Sequence, residues 1–381
     1  MVNIRKTIKK NIRRIKNTRK LRAEIRKLPV LTARDEKSIL IMIDSFYREG
    51  AQRVASILAN DLSGNYSVTA LCNKKSDAEY PISDRVKIIY MPHFEGRWSE
   101  RDYFETCFVR KLKQRLGIDV SISFLFPMNR LNVNSRHGEK TICSERNNPL
   151  RREPEKLNEI RQLYEDAGHV VFQSQFVRDL FSERVQQHSS IILNPIEVHV
   201  KRKQECSHRI VNIGRLHPQK NQALLIRAFH MFHKDHPEYR LSIYGEGGER
   251  QRLEALIQEL DLDGSVTLHG NIDHIHEAIS DAEMFVLSSD FEGLPNAMLE
   301  CMMMGIPCIS TAYESASELI TNYENGILTE AGNAKALAAA MTALAEDPAL
   351  RETLGSNAMT RSEQFHKDRV LTQWRALIEH D

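Results

Sequence analysis

A chain of 381 residues with 41% hydrophobic and 27% charged side chains is long enough for two cores and has the balance of a soluble globular protein. No apolar run reaches membrane-spanning length and no signal-peptide core opens the chain, so a cytoplasmic location is expected. The net charge of +2 hides an asymmetry: residues 1–28 hold twelve Lys/Arg against one acid, Glu24, while the remaining 41 basic and 50 acidic residues balance to −9.

The basic stretch places Ile4, Ile8, Ile12 and Ile15 on one helical stripe, and Leu21, Ile25 and Leu28 resume it. A narrow apolar stripe on a polybasic helix suits an interfacial membrane helix, because each basic residue near an anionic leaflet adds about 1 kcal/mol. A solvated basic tail is the other reading. Nucleic acid is not expected, because the segment has no aromatic side chain to stack on a base. The expected partner of residues 1–28 is therefore an anionic membrane surface.

Pro29 ends the segment, and 38–44 reads as an apolar strand of a sheet covered on both faces. A turn ending in Glu49-Gly50 and a helix over 51–62 follow. Strands are expected at 68–72, 86–90, 120–126, 140–144, 170–173 and 190–193, with a helix at 103–116. A polar stretch, 127–132, follows the strand at 120–126. After 140–144 comes Ser144-Glu145-Arg146-Asn147, four polar residues where open α/β sheets bind ligands, although an ordinary loop is the simpler reading.

Residues 194–196 and 200–209 read as a linker, and a second series begins. It runs through strands at 209–213, 239–244, 265–268, 284–287, 307–310 and 326–328. Helices are expected at 222–233, 249–260, 275–280, 296–304, 333–346 and 349–364, with Asn221 capping the first of them. The last helix, 368–380, is amphipathic through Val370, Leu371, Trp374, Leu377 and Ile378. The six cysteines are scattered without a C-x-x-C pair, which is the usage of a reducing compartment. The loop histidines His93, His137 and His217 do not pair with one another at ligand spacing, so no metal site is expected.

Three turns carry the candidate chemistry. Gly214 permits a close approach after the first strand of the second series, and Arg215 and Lys220 flank the turn; a fork and a point charge suit a diphosphate, although two solvated cations fit the spacing as well. Gly245-Glu246-Gly247-Gly248 is a tight turn after a strand, too short of glycines for a dinucleotide fingerprint. Ser289-Asp290-Phe291-Glu292-Gly293-Leu294-Pro295 leads into the 296–304 helix, whose N-terminus offers N–H groups to an anion. Its two acids, Glu292 and Glu300, read as an acid–base pair or, more economically, as acceptors for sugar hydroxyls.

The ordered set Gly214-Arg215-Leu216…Lys220, Gly245-Glu246-Gly247, Glu292-Gly293-Leu294-Pro295…Glu300 and Gly305-Ile306-Pro307 resembles the large family-4 retaining glycosyltransferases, over roughly 36–380 and most strongly in the second half. The resemblance implies an α/β protein of the GT-B fold: two facing Rossmann-like domains with a C-terminal helix crossing back to the first. The expected divisions are a basic amphipathic segment at 1–30, an acceptor domain at 36–195, a donor domain at 200–365 and the crossing helix at 366–381. It also implies that Arg215 and Lys220 hold the donor diphosphate, that Glu292 meets the transferred sugar, and that Glu300 takes the ribose hydroxyls. Gly214, Gly245, Gly293 and the backbone of Leu294, Pro295 and Asn296 would complete the donor site. No metal or cofactor is implied, because protein cations and the helix N-terminus supply the charge.

The first half departs from the family's pattern. Glu49-Gly50 stands where many relatives have Gly-Gly, and Ser144-Glu145-Arg146-Asn147 stands where many have a histidine. Gly50, Glu145, Arg146 and Asn147 are the expected acceptor-side residues, with Arg146 a candidate for the reacting centre. The expected activity is transfer of a hexose or N-acetylhexosamine, with UDP as the expected carrier, to a lipid-linked or polysaccharide acceptor at the inner face of the cell membrane. The alternatives are a sugar-nucleotide epimerase of the same fold and a non-catalytic membrane scaffold.

Overall fold

The computed structural model describes residues 2–30, 36–76, 79–203 and 207–380, with 2–9 described by backbone alone. Ile4 and Ile8 of the stripe, Cys206 and positions 204–206 of the expected linker lie outside the described side chains or residues. The chain divides into two compact units. One is Met1–Gln173 with Val177–Ile192 and Leu371–Asp381; the other is Ser174–Phe176 with Leu193–Val370.

The first unit is built on seven parallel strands: β1 (Ser38–Ile43), β2 (Ser67–Cys72), β3 (Lys87–Tyr90), β4 (Val120–Phe124), β5 (Lys140–Ser144), β6 (His169–Phe172) and β7 (Ser189–Ile191). Their order is β3-β2-β1-β4-β5-β6-β7. β1 is buried along its whole length, as a central parallel strand covered by helices must be. Strand order reverses between β1 and β4, which opens a crevice at their carboxyl ends. The final helix, Lys367–Glu379, returns its last turns to this unit, where Trp374 is fully buried with its ring 6.2 Å from that of Phe124.

Two stretches without an expected element are helical here. The polar stretch 127–132 is part of the helix Phe126–Asn134. Its asparagines are internal: Asn129 donates to the Ser144 carbonyl and the Tyr164 hydroxyl, and Asn132 to Ser121 and Ser123. Amides that serve the interior disguise a buried helix as a polar run. A helix also occupies Pro154–Glu165, a stretch that carried no assignment.

The basic N-terminal stretch is the helix Val2–Lys27, and its apolar stripe divides. Leu21, Ile25 and Leu28 pack into the first core with Leu40, Phe104 and Phe108. Asn17 is buried and exchanges hydrogen bonds with the backbone of Glu95, at 2.8 and 3.1 Å. Ile12 and Ile15 face away from this contact, 51% and 54% exposed. The six-residue step from Ile15 to Leu21 explains the split: at about 100° per residue it sets Leu21, Ile25 and Leu28 on the opposite side of the helix from Ile12 and Ile15. Among the described residues no helix is long and apolar enough to cross a membrane.

The second unit holds six parallel strands: β8 (Arg209–Ile213), β9 (Arg240–Tyr244), β10 (Val266–Gly270), β11 (Met284–Leu287), β12 (Cys308–Thr311) and β13 (Ile327–Thr329), ordered β10-β9-β8-β11-β12-β13. Side chains alternate between two cores, as the two-residue strand period requires. Ile210, Met284 and Val286 join one with Leu225, Phe229 and Met341. Val211, Phe285 and Leu287 join the other with Met298, Leu299 and Met302. Cys301 packs there as well, so the Cys/Met-rich segment is packing material. The reversal of strand order falls between β8 and β11.

Candidate active site

That reversal point is where the donor residues of the second unit meet. β8 leads into Gly214-Arg215, then into the short 3-10 turn Pro218–Lys220, and Asn221 starts the helix Gln222–His233. Asn221 holds φ 46°, a left-handed conformation that asparagine tolerates, and its side chain caps the helix by accepting from Leu224 N at 3.3 Å. From β11 the chain runs through Ser288–Leu294 to Pro295, which opens the helix Asn296–Met304 without a capping side chain.

The two turns are joined by a set of hydrogen bonds. Asp290 N donates to the Gln219 carbonyl (2.9 Å), Ser288 Oγ to the Lys220 carbonyl (2.8 Å), Gln219 Nε2 to the Phe291 carbonyl (2.9 Å) and Asn221 Nδ2 to Asp290 Oδ1 (2.8 Å). At their centre Lys220 Nζ donates to Glu292 Oε1 at 2.6 Å, and Ser289 Oγ donates to the same oxygen at 2.5 Å. Glu292 is buried, so this carboxylate is held by a cation and a hydroxyl inside the protein. A lysine and a glutamate 72 positions apart thus form one unit, a point charge beside a carboxylate at a helix N-terminus.

Other expected donor residues surround this pair. Gly214 lies under the Lys220 stem: a Cβ there would touch Lys220 Cδ and Cε at 3.4 Å. The exposed Arg215 stands in the same turn, with its carbonyl taken by Gln222 Nε2 at 3.1 Å. The Gly293 carbonyl accepts from Ser315 Oγ (3.2 Å), and Asn296 Oδ1 accepts from Asn194 Nδ2 (2.7 Å). Leu294 is half-buried against the apolar core beneath the helix. Glu300, buried in the second turn of the helix, has His276 Nε2 3.2 Å from its Oε2.

Gly245 has a backbone role of its own. It has φ 135°, and a Cβ there would stand 2.1 Å from the Gly214 carbonyl oxygen. A Cβ at Gly247 would stand 2.1 Å from that of Leu216. The glycines are required because two turns lie against each other, bonded through Gly214 N to the Tyr244 carbonyl and Leu216 N to the Glu246 carbonyl, each at 2.9 Å. The cluster fits the turn of β9 to the turn of β8.

In the first unit the expected acceptor-side residues lie at the carboxyl ends of β1 and β5. Gly50 is the first residue of the helix Gly50–Leu62, exposed and preceded by a Glu49 that makes no side-chain cap. Glu145 and Arg146 are buried. The Glu145 carboxylate accepts from the Tyr164 hydroxyl (2.7 Å) and from Asn147 N (3.1 Å), and burial pushes its pKa up. Arg146 donates through Nε to Ser144 Oγ (2.7 Å) and through Nη1 to the Ile192 carbonyl (2.9 Å), with its guanidinium 5.7 Å from the Trp374 ring centre. Burial lowers its pKa to about 9. Polar residues after a strand suggested an open site. Glu145 and Arg146 are instead buried inside the unit, where their hydrogen bonds tie β5 to Tyr164 and to the end of β7 and the Arg146 guanidinium faces the last helix; Asn147 is the exposed member of the set.

Sequence reading did not single out Ser289 and Gln219 as the supports of Glu292, or His276 as the neighbour of Glu300. The first two stand inside the quoted motifs and were within reach. His276 is 24 positions from Glu300 and carries no local signal.

Residues 196–361 match the family model described as glycosyl transferases group 1. A Campylobacter jejuni protein named GalNAc-alpha-(1->4)-GalNAc-alpha-(1->3)-diNAcBac-PP-undecaprenol alpha-1,4-N-acetyl-D-galactosaminyltransferase is 27% identical over 357 residues, 89% of this chain and 98% of the relative. Over residues 196–361 the chain is thus similar to the group 1 glycosyl transferases. The match and the glycosyltransferase relatives make it a transferase. A second C. jejuni relative, N-acetylgalactosamine-N,N'-diacetylbacillosaminyl-diphospho-undecaprenol 4-alpha-N-acetylgalactosaminyltransferase, is 34% identical over 162 residues, covering 42% of this chain and 44% of the relative. Among solved structures, Anabaena HepE in complex with UDP and glucose is similar with a TM-score of 0.76 at 17% identity, over 90% of this chain and 99% of that one. Sucrose-phosphate synthase from Thermosynechococcus elongatus matches with a TM-score of 0.76 at 18% identity, over 90% and 98%. These likenesses show the fold: two Rossmann-like α/β domains of the GT-B type, as expected.

Proposed function

We propose that this glycosyl transferase moves an N-acetylhexosamine or hexose from a UDP-sugar, with retention at the anomeric carbon, to a lipid-linked or polysaccharide acceptor at the inner face of the cell membrane. The observation that carries the donor half is the Lys220–Glu292 contact at the reversal point of the second sheet. Open α/β sheets bind ligands there, and the helix Asn296–Met304 directs its N-terminus to the same place. In this reading Lys220, Arg215 and the helix N-terminus offset the charge that grows on the departing diphosphate, which is the work a metal ion does elsewhere. Glu292 meets the sugar, and Glu300 accepts from the ribose hydroxyls. Support for UDP comes from HepE, which is similar in fold and was solved with UDP. Support for a lipid-linked acceptor comes from the two C. jejuni relatives, whose names carry an undecaprenol diphosphate.

Calorimetry with UDP, GDP and ADP tests the donor half. UDP is expected to bind at least about tenfold more tightly than the other two, a difference of about 1.4 kcal/mol. Binding of none of the three would refute the donor site and favour a non-catalytic scaffold. Incubating UDP-sugars with a pool of lipid-linked saccharides should then give a mass-shifted product whose anomeric proton coupling matches the donor's. Release of UDP with no acceptor present would point to the epimerase instead.

The membrane half rests on the free part of the first helix. Ile12 and Ile15 are exposed between Lys10, Arg14, Lys16 and Arg19, and Trp98 and Tyr103, on the helix it packs against, are 55% and 59% exposed. Basic residues interleaved with exposed apolar ones fit an anionic lipid surface. Full-length protein is expected to sediment with phosphatidylglycerol vesicles and not with phosphatidylcholine alone. Ile12→Glu/Ile15→Glu should stay in the supernatant with both, because the mutated face carries no core contact. Equal sedimentation of variant and wild type would remove the membrane assignment.

A further inference from the structure

We infer that His276 is a positioning residue of the nucleotide site, holding the Glu300 carboxylate in the orientation that receives the ribose. The inference rests on the reading that Glu300 binds the nucleotide, and it adds a residue from an element outside every motif that pointed to the site. His276 Nε2 lies 3.2 Å from Glu300 Oε2. Because a carboxylate only accepts, the ring hydrogen sits on Nε2 in this contact. Glu300 is buried, and a long side chain that must face a diol benefits from a fixed rotamer: each torsion left free in the unbound protein has to be frozen on binding.

The contact is built from below. His276 belongs to the short helix Ile275–Ala278, which follows β10. Ile275 and Ala278 pack against the apolar core that holds Met298, Leu299 and Met302 of the Glu300 helix, and Ile279 is fully buried in that core. The two elements therefore share one floor, and their upper side chains keep a set distance. One Glu300 oxygen takes the imidazole, and a carboxylate has acceptor positions enough for a ring N–H and two hydroxyls together.

His276→Ala, His276→Gln, Glu300→Ala and the His276→Ala/Glu300→Ala double variant are compared by calorimetry with UDP and by donor KM and kcat. His276→Ala is expected to weaken UDP about 5- to 30-fold and to raise the donor KM by a similar factor, with kcat at saturating donor little changed, since a hydrogen bond to a charged partner is at stake. His276→Gln places an amide N–H near the position of Nε2 and should recover most of that loss. In the Glu300→Ala background, removing the imidazole should cost nothing further, because its only effect runs through the carboxylate. The inference is overturned if His276→Ala binds UDP like wild type while Glu300→Ala does not, or if His276→Ala weakens binding equally in both backgrounds. Normal UDP binding by Glu300→Ala is a different result: it removes the ribose assignment itself.

Discussion

Lys220→Ala is expected to lower kcat by roughly 10²- to 10³-fold while the protein stays folded, the usual consequence of deleting one preorganised charge from a transition-state site. The side chain is only partly buried, and the turn that carries it is held by backbone and amide bonds that do not involve Nζ. The loss therefore falls on the chemistry. Lys220→Arg should not restore it: the Nζ site lies 2.6 Å from Glu292 Oε1 over the bare Gly214, and a planar fork cannot occupy the place of a compact ammonium. Because the two side chains touch, Lys220→Ala and Glu292→Gln should be strongly non-additive, with the double variant close to the weaker single. Steady-state turnover with the best UDP-sugar, alongside thermal melting, checks all of this. Turnover by Lys220→Ala within about threefold of wild type would falsify the assignment of the pair to catalysis.

How far the sequence announced this site depends on the distance over which each signal acts. Strands β8 and β11 and the helices Gln222–His233 and Asn296–Met304 coincide with their expected limits, because apolar runs, Pro295 and the Asn221 cap are local signals. The order of motifs along the second unit made the family legible. Pairings across the fold were not. Neither the Lys220–Glu292 contact nor the His276–Glu300 contact follows from spacing, since each joins separate βα units. In the first unit the difficulty was burial of polar groups. Asn129, Asn132, Glu145 and Arg146 read as open polar stretches until their hydrogen bonds to Tyr164, Ser144 and backbone carbonyls are seen. The stripe of the first helix misled for another reason: its spacing resumes after a six-residue step that changes face, so Leu21, Ile25 and Leu28 serve the core and Ile12 and Ile15 the solvent.

The same burial of polar groups sets the largest expected change in stability. Lys113 and Glu139 meet at 2.6 Å with side chains 1% exposed each. Lys113 Nζ also donates to Asn132 Oδ1 (2.7 Å) and the Asn132 carbonyl (3.0 Å), while Glu139 accepts from His137 N (2.8 Å) and Ser121 Oγ (3.3 Å). Burial alone would push the Glu139 carboxyl up. The Lys113 charge and its hydrogen bond, together with backbone donors, outweigh burial and hold it below its ordinary range. Lys113→Met leaves that carboxylate buried without its cation, and is expected to cost about 3–5 kcal/mol at neutral pH. The folded-state pKa of Glu139 should then rise above its unfolded value. The penalty is thus full above the raised folded pKa and shrinks as pH falls toward the unfolded one, where protonation removes the stranded charge. Lys113→Met/Glu139→Leu removes both charges and should recover most of the loss, since an apolar pair of similar volume replaces the ions. Denaturant unfolding of the three proteins at neutral and mildly acid pH separates the cases. A Lys113→Met variant destabilised equally at both pH values, or a double variant no better than the single, would show that Lys113 acts there by packing its stem and not by its charge.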